Sequence, residues 1–84
     1  VNSALSYVYP NPFSNSASIV YNSIRKNASW DLIITDVLGK EVKHVNSTTS
    51  NILTIEKEEL TVGVYFYRIL EEGKQIHSGK FIIN

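Results

Sequence analysis

The 84-residue chain contains no cysteine, which excludes disulfide staples and thiolate metal sites. This absence leaves the compartment open, because exported proteins also dispense with cysteine. Eight basic residues face eight acidic ones and the formal charge is zero. No general field therefore draws the chain to a nucleic-acid backbone or an anionic membrane, and nucleic-acid binding is not expected. No apolar run approaches the ~20 residues that span a bilayer, so no transmembrane segment is expected. The first residues, Val1-Asn2-Ser3-Ala4, lack the charged and apolar regions of a secretory signal. The chain reads either as cytosolic or as a fragment whose address lies elsewhere.

Catalytic apparatus is equally scarce. His44 and His77 are the only histidines. Neither has a metal-ligand partner at close spacing, and no strained turn presents a Ser nucleophile. The adjacent carboxylates Glu58-Glu59 and Glu71-Glu72 point apart on a strand or tight turn, cannot share a substrate, and read as solubility residues. No catalytic, cofactor-binding or metal residue is assigned, no cofactor is expected, and an enzyme is not the reading. Asn27-Ala28-Ser29 and Asn46-Ser47-Thr48 match the glycosylation sequon, a pattern that eight Asn and ten Ser generate easily by chance.

What the chain does have is β-branched. Ten Ile, eight Val and five Thr suit pleated, half-buried strands better than helices. A chain this short buries only roughly 60% of its unfolded surface, so a single domain over 1–84 with a thin core is expected. Its most apolar stretch is Gly63-Val64-Tyr65-Phe66-Tyr67-Arg68-Ile69-Leu70. Both of its alternating faces are largely apolar, which predicts a central strand buried on both sides, with Arg68 extending its stem over apolar surface.

Other strands follow from period-two alternation. Leu5, Tyr7 and Tyr9 alternate with Ser6 and Val8 in a first strand with one buried face. Pro10-Asn11-Pro12 ends it as an edge or crossing loop, because two prolines remove ladder donors. Phe13 is expected to plug one end of the core. The second strand, 16–21, puts Ala17, Ile19 and Tyr21 on one face, and a polar connection with Arg25 and Lys26 follows. The third, 28–35, aligns Trp30, Leu32 and Ile34, which makes Trp30 a core residue rather than a sugar platform.

In Asp36-Val37-Leu38-Gly39 the Asp carboxylate can bond the backbone ahead of it and Gly can supply positive φ, so this is a turn. A short strand runs over 40–45, and the polar stretch 46–51 reads as a surface loop. Strand 51–55 carries Leu53 and Ile55 on one face. The charge run 56–59 is solvated and leads to Leu60 as a corner anchor. Glu71-Glu72-Gly73-Lys74 forms a hairpin turn, and a last strand, 75–83, alternates Phe81 and Ile83 with Lys80 and Ile82. Seven strands at this spacing predict an all-β fold, a small antiparallel sandwich of immunoglobulin-like character.

Four stretches, in order, carry a family resemblance: Tyr9-Pro10-Asn11-Pro12-Phe13, Asp36-Val37-Leu38-Gly39-Lys40-Glu41-Val42, Gly63-Val64-Tyr65-Phe66-Tyr67-Arg68-Ile69, and Lys80-Phe81-Ile82-Ile83. Together they resemble the C-terminal sorting domain, type A, of the type IX secretion system. The resemblance implies a β-sandwich at the end of a larger Bacteroidetes-type protein, covalently linked to an N-terminal cargo. It implies two partners, the outer-membrane translocon that reads the domain and a sortase-like peptidase that removes it. It also implies export from periplasm to the exterior or the cell surface, the cargo having its own N-terminal signal. By the same resemblance, translocon recognition falls on Lys80, Phe81, Ile82, Ile83 and Asn84, with Gly63 and Tyr65 holding the neighbouring strand. Pro10, Asn11, Pro12, Asp36 and Gly39 then shape turns. From a different class, the competing reading is an accessory carbohydrate-binding module with exposed aromatics.

Overall fold

The computed structural model describes residues 5–22, 29–58 and 60–84. Val1–Ala4, the connection with Arg25 and Lys26, the expected strand start at Ala28, and Glu59 lie outside the described residues. Seven strands follow in chain order: β1 (Leu5–Tyr9), β2 (Ser16–Asn22), β3 (Trp30–Thr35), β4 (Glu41–Thr48), β5 (Ile52–Glu56), β6 (Gly63–Glu71) and β7 (Lys74–Ile83). They form two antiparallel sheets packed as a sandwich, one ordered β1-β2-β5 and the other β4-β3-β6-β7. The all-β reading therefore holds.

The core forms where the two inner faces meet. β2 contributes Ala17, Ile19 and Tyr21, β3 contributes Trp30, Leu32 and Ile34, and β5 contributes Ile55. β6 adds Tyr65, Tyr67 and Ile69, β7 adds Phe81 and Ile83, and Phe13 closes one end. Each set sits at spacing two, the pleat carrying alternate side chains to one face. Trp30 is buried, meets Tyr21 edge-on at 5.0 Å between centroids, and donates its indole N–H to the Ser50 carbonyl at 2.9 Å. Leu60 packs against the cluster as the expected corner anchor.

The turns form by the expected chemistry. Asp36 Oδ1 accepts from the amides of Leu38 and Lys40, each at 2.9 Å, and Gly39 adopts φ +84°. β6 and β7 join through Glu72 and Gly73, both at positive φ, the signature of a tight two-residue hairpin.

Four expectations are corrected. In β1 the buried face is the other one: Tyr7 and Tyr9 stand 54% and 71% exposed, while Val8 packs against the core. Alternation alone set the period, but not which set turned inward, and two tyrosines tolerate water through their hydroxyls. In β6 only one face is buried, because a two-layer sandwich covers each sheet once; Val64 and Phe66 remain 37% and 42% exposed. β4 continues through Thr48, into the stretch expected as loop, because Thr48 pairs across to Trp30. Finally, Glu71 is not a solubility residue: it is buried and accepts a hydrogen bond from the Tyr21 hydroxyl.

Gly79 is required by a close approach. It lies directly opposite Tyr67, and a Cβ there would stand 2.6 Å from Tyr67 Oη and 2.7 Å from two ring carbons. Tyr67 is buried and hydrogen-bonded, so its ring has little freedom to withdraw. Gly79→Ala is expected to cost about 1–3 kcal/mol, the range for overpacking a filled core. Urea denaturation of the variant against the parent chain measures it.

Candidate functional site: the terminal strand and its covered edge

Among the described residues β7 is the last strand and lies at the margin of its sheet, with β6 as its one neighbouring strand there. An unpaired strand edge exposes a row of amides and carbonyls that invites another strand. Here the chain's own early residues occupy its C-terminal half. The Phe13 amide donates to the Ile82 carbonyl at 3.0 Å, the Asn84 amide donates to the Phe13 carbonyl at 2.8 Å, and Phe13 and Ile83 form a parallel bridge.

Asn11 extends this pairing with its side chain. Its Oδ1 accepts from the Ile82 amide at 3.0 Å and its Nδ2 donates to the Lys80 carbonyl at 3.3 Å. An amide side chain carries an acceptor and a donor side by side, as a peptide group does, so Asn11 substitutes for one residue of strand. Such a substitute suits this position because prolines at 10 and 12 have no amide to offer. Both X-Pro bonds here, Tyr9-Pro10 and Asn11-Pro12, are cis.

The same run of chain is held further back. Ser6 Oγ lies 2.7 Å from His77 Nδ1 and 3.1 Å from Tyr67 Oη, all three being hydrogen-bonded. Residues 6–13 thus run alongside 77–83, in the same direction, tied at both ends.

Beneath this edge an aromatic cluster holds the terminal strand. The Phe81 ring packs against Tyr65 at 5.7 Å, Phe13 at 5.5 Å and Tyr67 at 6.5 Å between centroids. Phe81 and Ile83 are fully buried, worth about 1.5–3 kcal/mol each in transfer free energy. Tyr65 is buried and donates its hydroxyl proton to the Thr61 carbonyl at 2.7 Å. Gly63 pairs with Ile83 at φ +152°, a conformation that side chains rarely adopt, which explains glycine at the entrance to β6.

The residues that the sequence singled out converge. Gly63 and Tyr65 pair directly with Ile83 and Phe81, and Asn11, between Pro10 and Pro12, bonds Lys80 and Ile82. Thr35 pairs with Phe66, so the turn with Asp36 and Gly39 lies at this same end of the sheet, two strands away from β7. Of the terminal residues, Phe81 and Ile83 point inward, while Lys80, Ile82 and Asn84 are exposed. Sequence reasoning missed three parts. Ser6 and His77 gave no signal, since a hydroxyl and an imidazole 71 positions apart are joined only by the fold. Glu71 looked like any turn carboxylate. The clamp by Asn11 had a signal, a lone amide between two prolines, though not its partner.

Among the described residues, no group of three or more His, Cys, Asp or Glu could hold a metal ion. His44 lies 3.5 Å from Glu41 and 3.9 Å from Asp31, a partly exposed cluster on β3 and β4. No helix among the described residues is long and apolar enough to cross a membrane.

Asn11→Ala is expected to lower stability by about 1–3 kcal/mol, the sum of two modest hydrogen bonds. The specific sign is hydrogen exchange: the Ile82 amide should lose protection beyond the global change, while amides of β7 that face β6 follow the global change alone.

No curated protein gives a match to this sequence. The pattern that defines the secretion system C-terminal sorting domain matches residues 7–84, which runs from within β1 through the terminal strand and includes all four motif stretches. That family comprises sorting signals rather than catalysts, carried on exported cargo proteins. On this match the chain belongs to the type IX secretion C-terminal sorting domain family.

Proposed function

We propose that residues 1–84 act as one non-catalytic unit that directs a covalently linked N-terminal cargo through the type IX outer-membrane translocon. The observation that carries this reading is the family match over residues 7–84. The convergence of the four motif stretches at one end of the sandwich supports it.

On this reading the translocon reads the terminal segment Lys80, Phe81, Ile82, Ile83 and Asn84. The buried members act by holding it: Phe81 and Ile83 anchor the strand, and Gly63 and Tyr65 keep β6 in register beneath them. Pro10, Asn11, Pro12, Asp36 and Gly39 serve as structure, the first three by covering the edge. A sortase-like peptidase then removes the domain, and the cargo reaches the exterior or the cell surface. The carbohydrate-binding reading gains nothing from Trp30, whose buried ring offers no stacking face.

A reporter ending in this domain should leave a type IX-competent host. Deleting residues 80–84 should retain it. Because the deletion also strips Phe81 and Ile83 from the core, a triple variant, Lys80→Ser with Ile82→Ser and Asn84→Ser, tests the exposed side chains alone. Export of both variants at the parental level refutes the placement of the signal.

A further inference from the structure

The covered edge of β7 restricts how its terminal half can be read. Strand addition needs free amides and carbonyls along an edge. The Lys80 carbonyl, both main-chain groups of Ile82 and the Asn84 amide already bond Asn11 and Phe13. What remains open is the outer face of the sheet.

That face has a defined composition over β6 and β7. Val64 lies directly opposite Ile82, Phe66 opposite Lys80, and Arg68 opposite Ser78. Val64, Phe66 and Ile82 are each 37–42% exposed, an aliphatic pair beside an aromatic ring where most soluble sheets place polar residues. Arg68 and Lys80 are diagonal neighbours across the strand pair, both exposed, and neither forms an ion pair among the described residues. The carboxylates of this same sheet face, Asp31 and Glu41, belong to the β3–β4 half, where His44 stands between them. The β6–β7 half is thus apolar and cationic.

We propose that this face, Val64, Phe66 and Ile82 with Arg68 and Lys80, docks a protein surface that carries apolar side chains flanked by carboxylates. The proposal rests on the sorting-signal reading and deepens it. Charge complementarity sets the sign of the partner, since two unpaired cations beside a dehydrated apolar contact select carboxylates and reject cations. The limited exposure of the site sets its class. Each apolar side chain is more than half covered by its neighbours and has little surface to insert among acyl chains, so a protein surface packed against it gains more than a bilayer does.

The test uses the reporter fusion in a type IX-competent host. The parental domain must export the reporter; if it does not, the sorting-signal reading fails and this proposal with it. Given export, Phe66→Ser and the pair Arg68→Glu with Lys80→Glu should each reduce it about tenfold, while Arg68→Lys with Lys80→Arg should stay within about twofold. Tyr7→Ser, on the outer face of the other sheet, should also stay within about twofold. Urea midpoints of the purified variants check folding, and the charge pair decides alone if Phe66→Ser proves unstable. Undiminished export from the charge-reversed pair overturns the proposal, as does an equal loss from the charge-preserving pair. Sedimentation with phosphatidylglycerol vesicles distinguishes a lipid. Binding by the parental domain that Phe66→Ser abolishes assigns the face to a membrane and overturns the protein partner; no co-sedimentation supports it.

Discussion

The terminal strand has to be held on a side where, among the described residues, its sheet has no further strand, and the rest of the molecule answers to that constraint. β7 has β6 on one side only. Its other side is closed by a main-chain bridge at Phe13 and by the amide side chain of Asn11. From below, Phe81 fixes it among Tyr65, Tyr67 and Phe13. Natural sheets blunt exposed edges in several ways, and here a short segment from the start of the chain does so. The two prolines suit that task, because a residue without an amide lies on an edge without leaving a donor unsatisfied.

This arrangement explains why motifs that are weak singly are informative in order. Residues 9–13, 63–69 and 80–83 are three parts of one contact, the cover, the paired strand and the terminal strand. A substitution in one part is felt in the others. The Gly79 position shows the same economy: the absence of a side chain makes room for the Tyr67 ring, whose hydroxyl then reaches Ser6 across the gap between the sheets.

Much of this was legible from the sequence. Period-two alternation, the continuous apolar run of β6 and the return after the Asp36 turn located the seven strands, and the Asp36–Gly39 and Glu72–Gly73 turns followed from side-chain bonding and positive φ. The core faces of β2, β3 and β7 were read correctly because aliphatic and aromatic residues share one parity there. β1 was misread because its tyrosines outweighed Val8 by size, although the phenol tolerates water. β6 was misread because an apolar outer face looks the same in sequence whether a third layer covers it or nothing does. Glu71 and the Ser6–His77 contact depend on pairs 50 and 71 positions apart, which no local pattern encodes.

The parallel run of residues 6–13 beside 77–83 also has a mechanical meaning. A tension drawn between the beginning and the end of the chain pulls these two segments in opposite senses along their length. Their contacts, from Ser6–His77 to Phe13–Ile83, then carry the load side by side. Bonds arranged across the pull must yield together, whereas bonds at a peeling end yield one at a time. Separation of Ser6 from Ile83 is therefore resisted along the whole length of the contact.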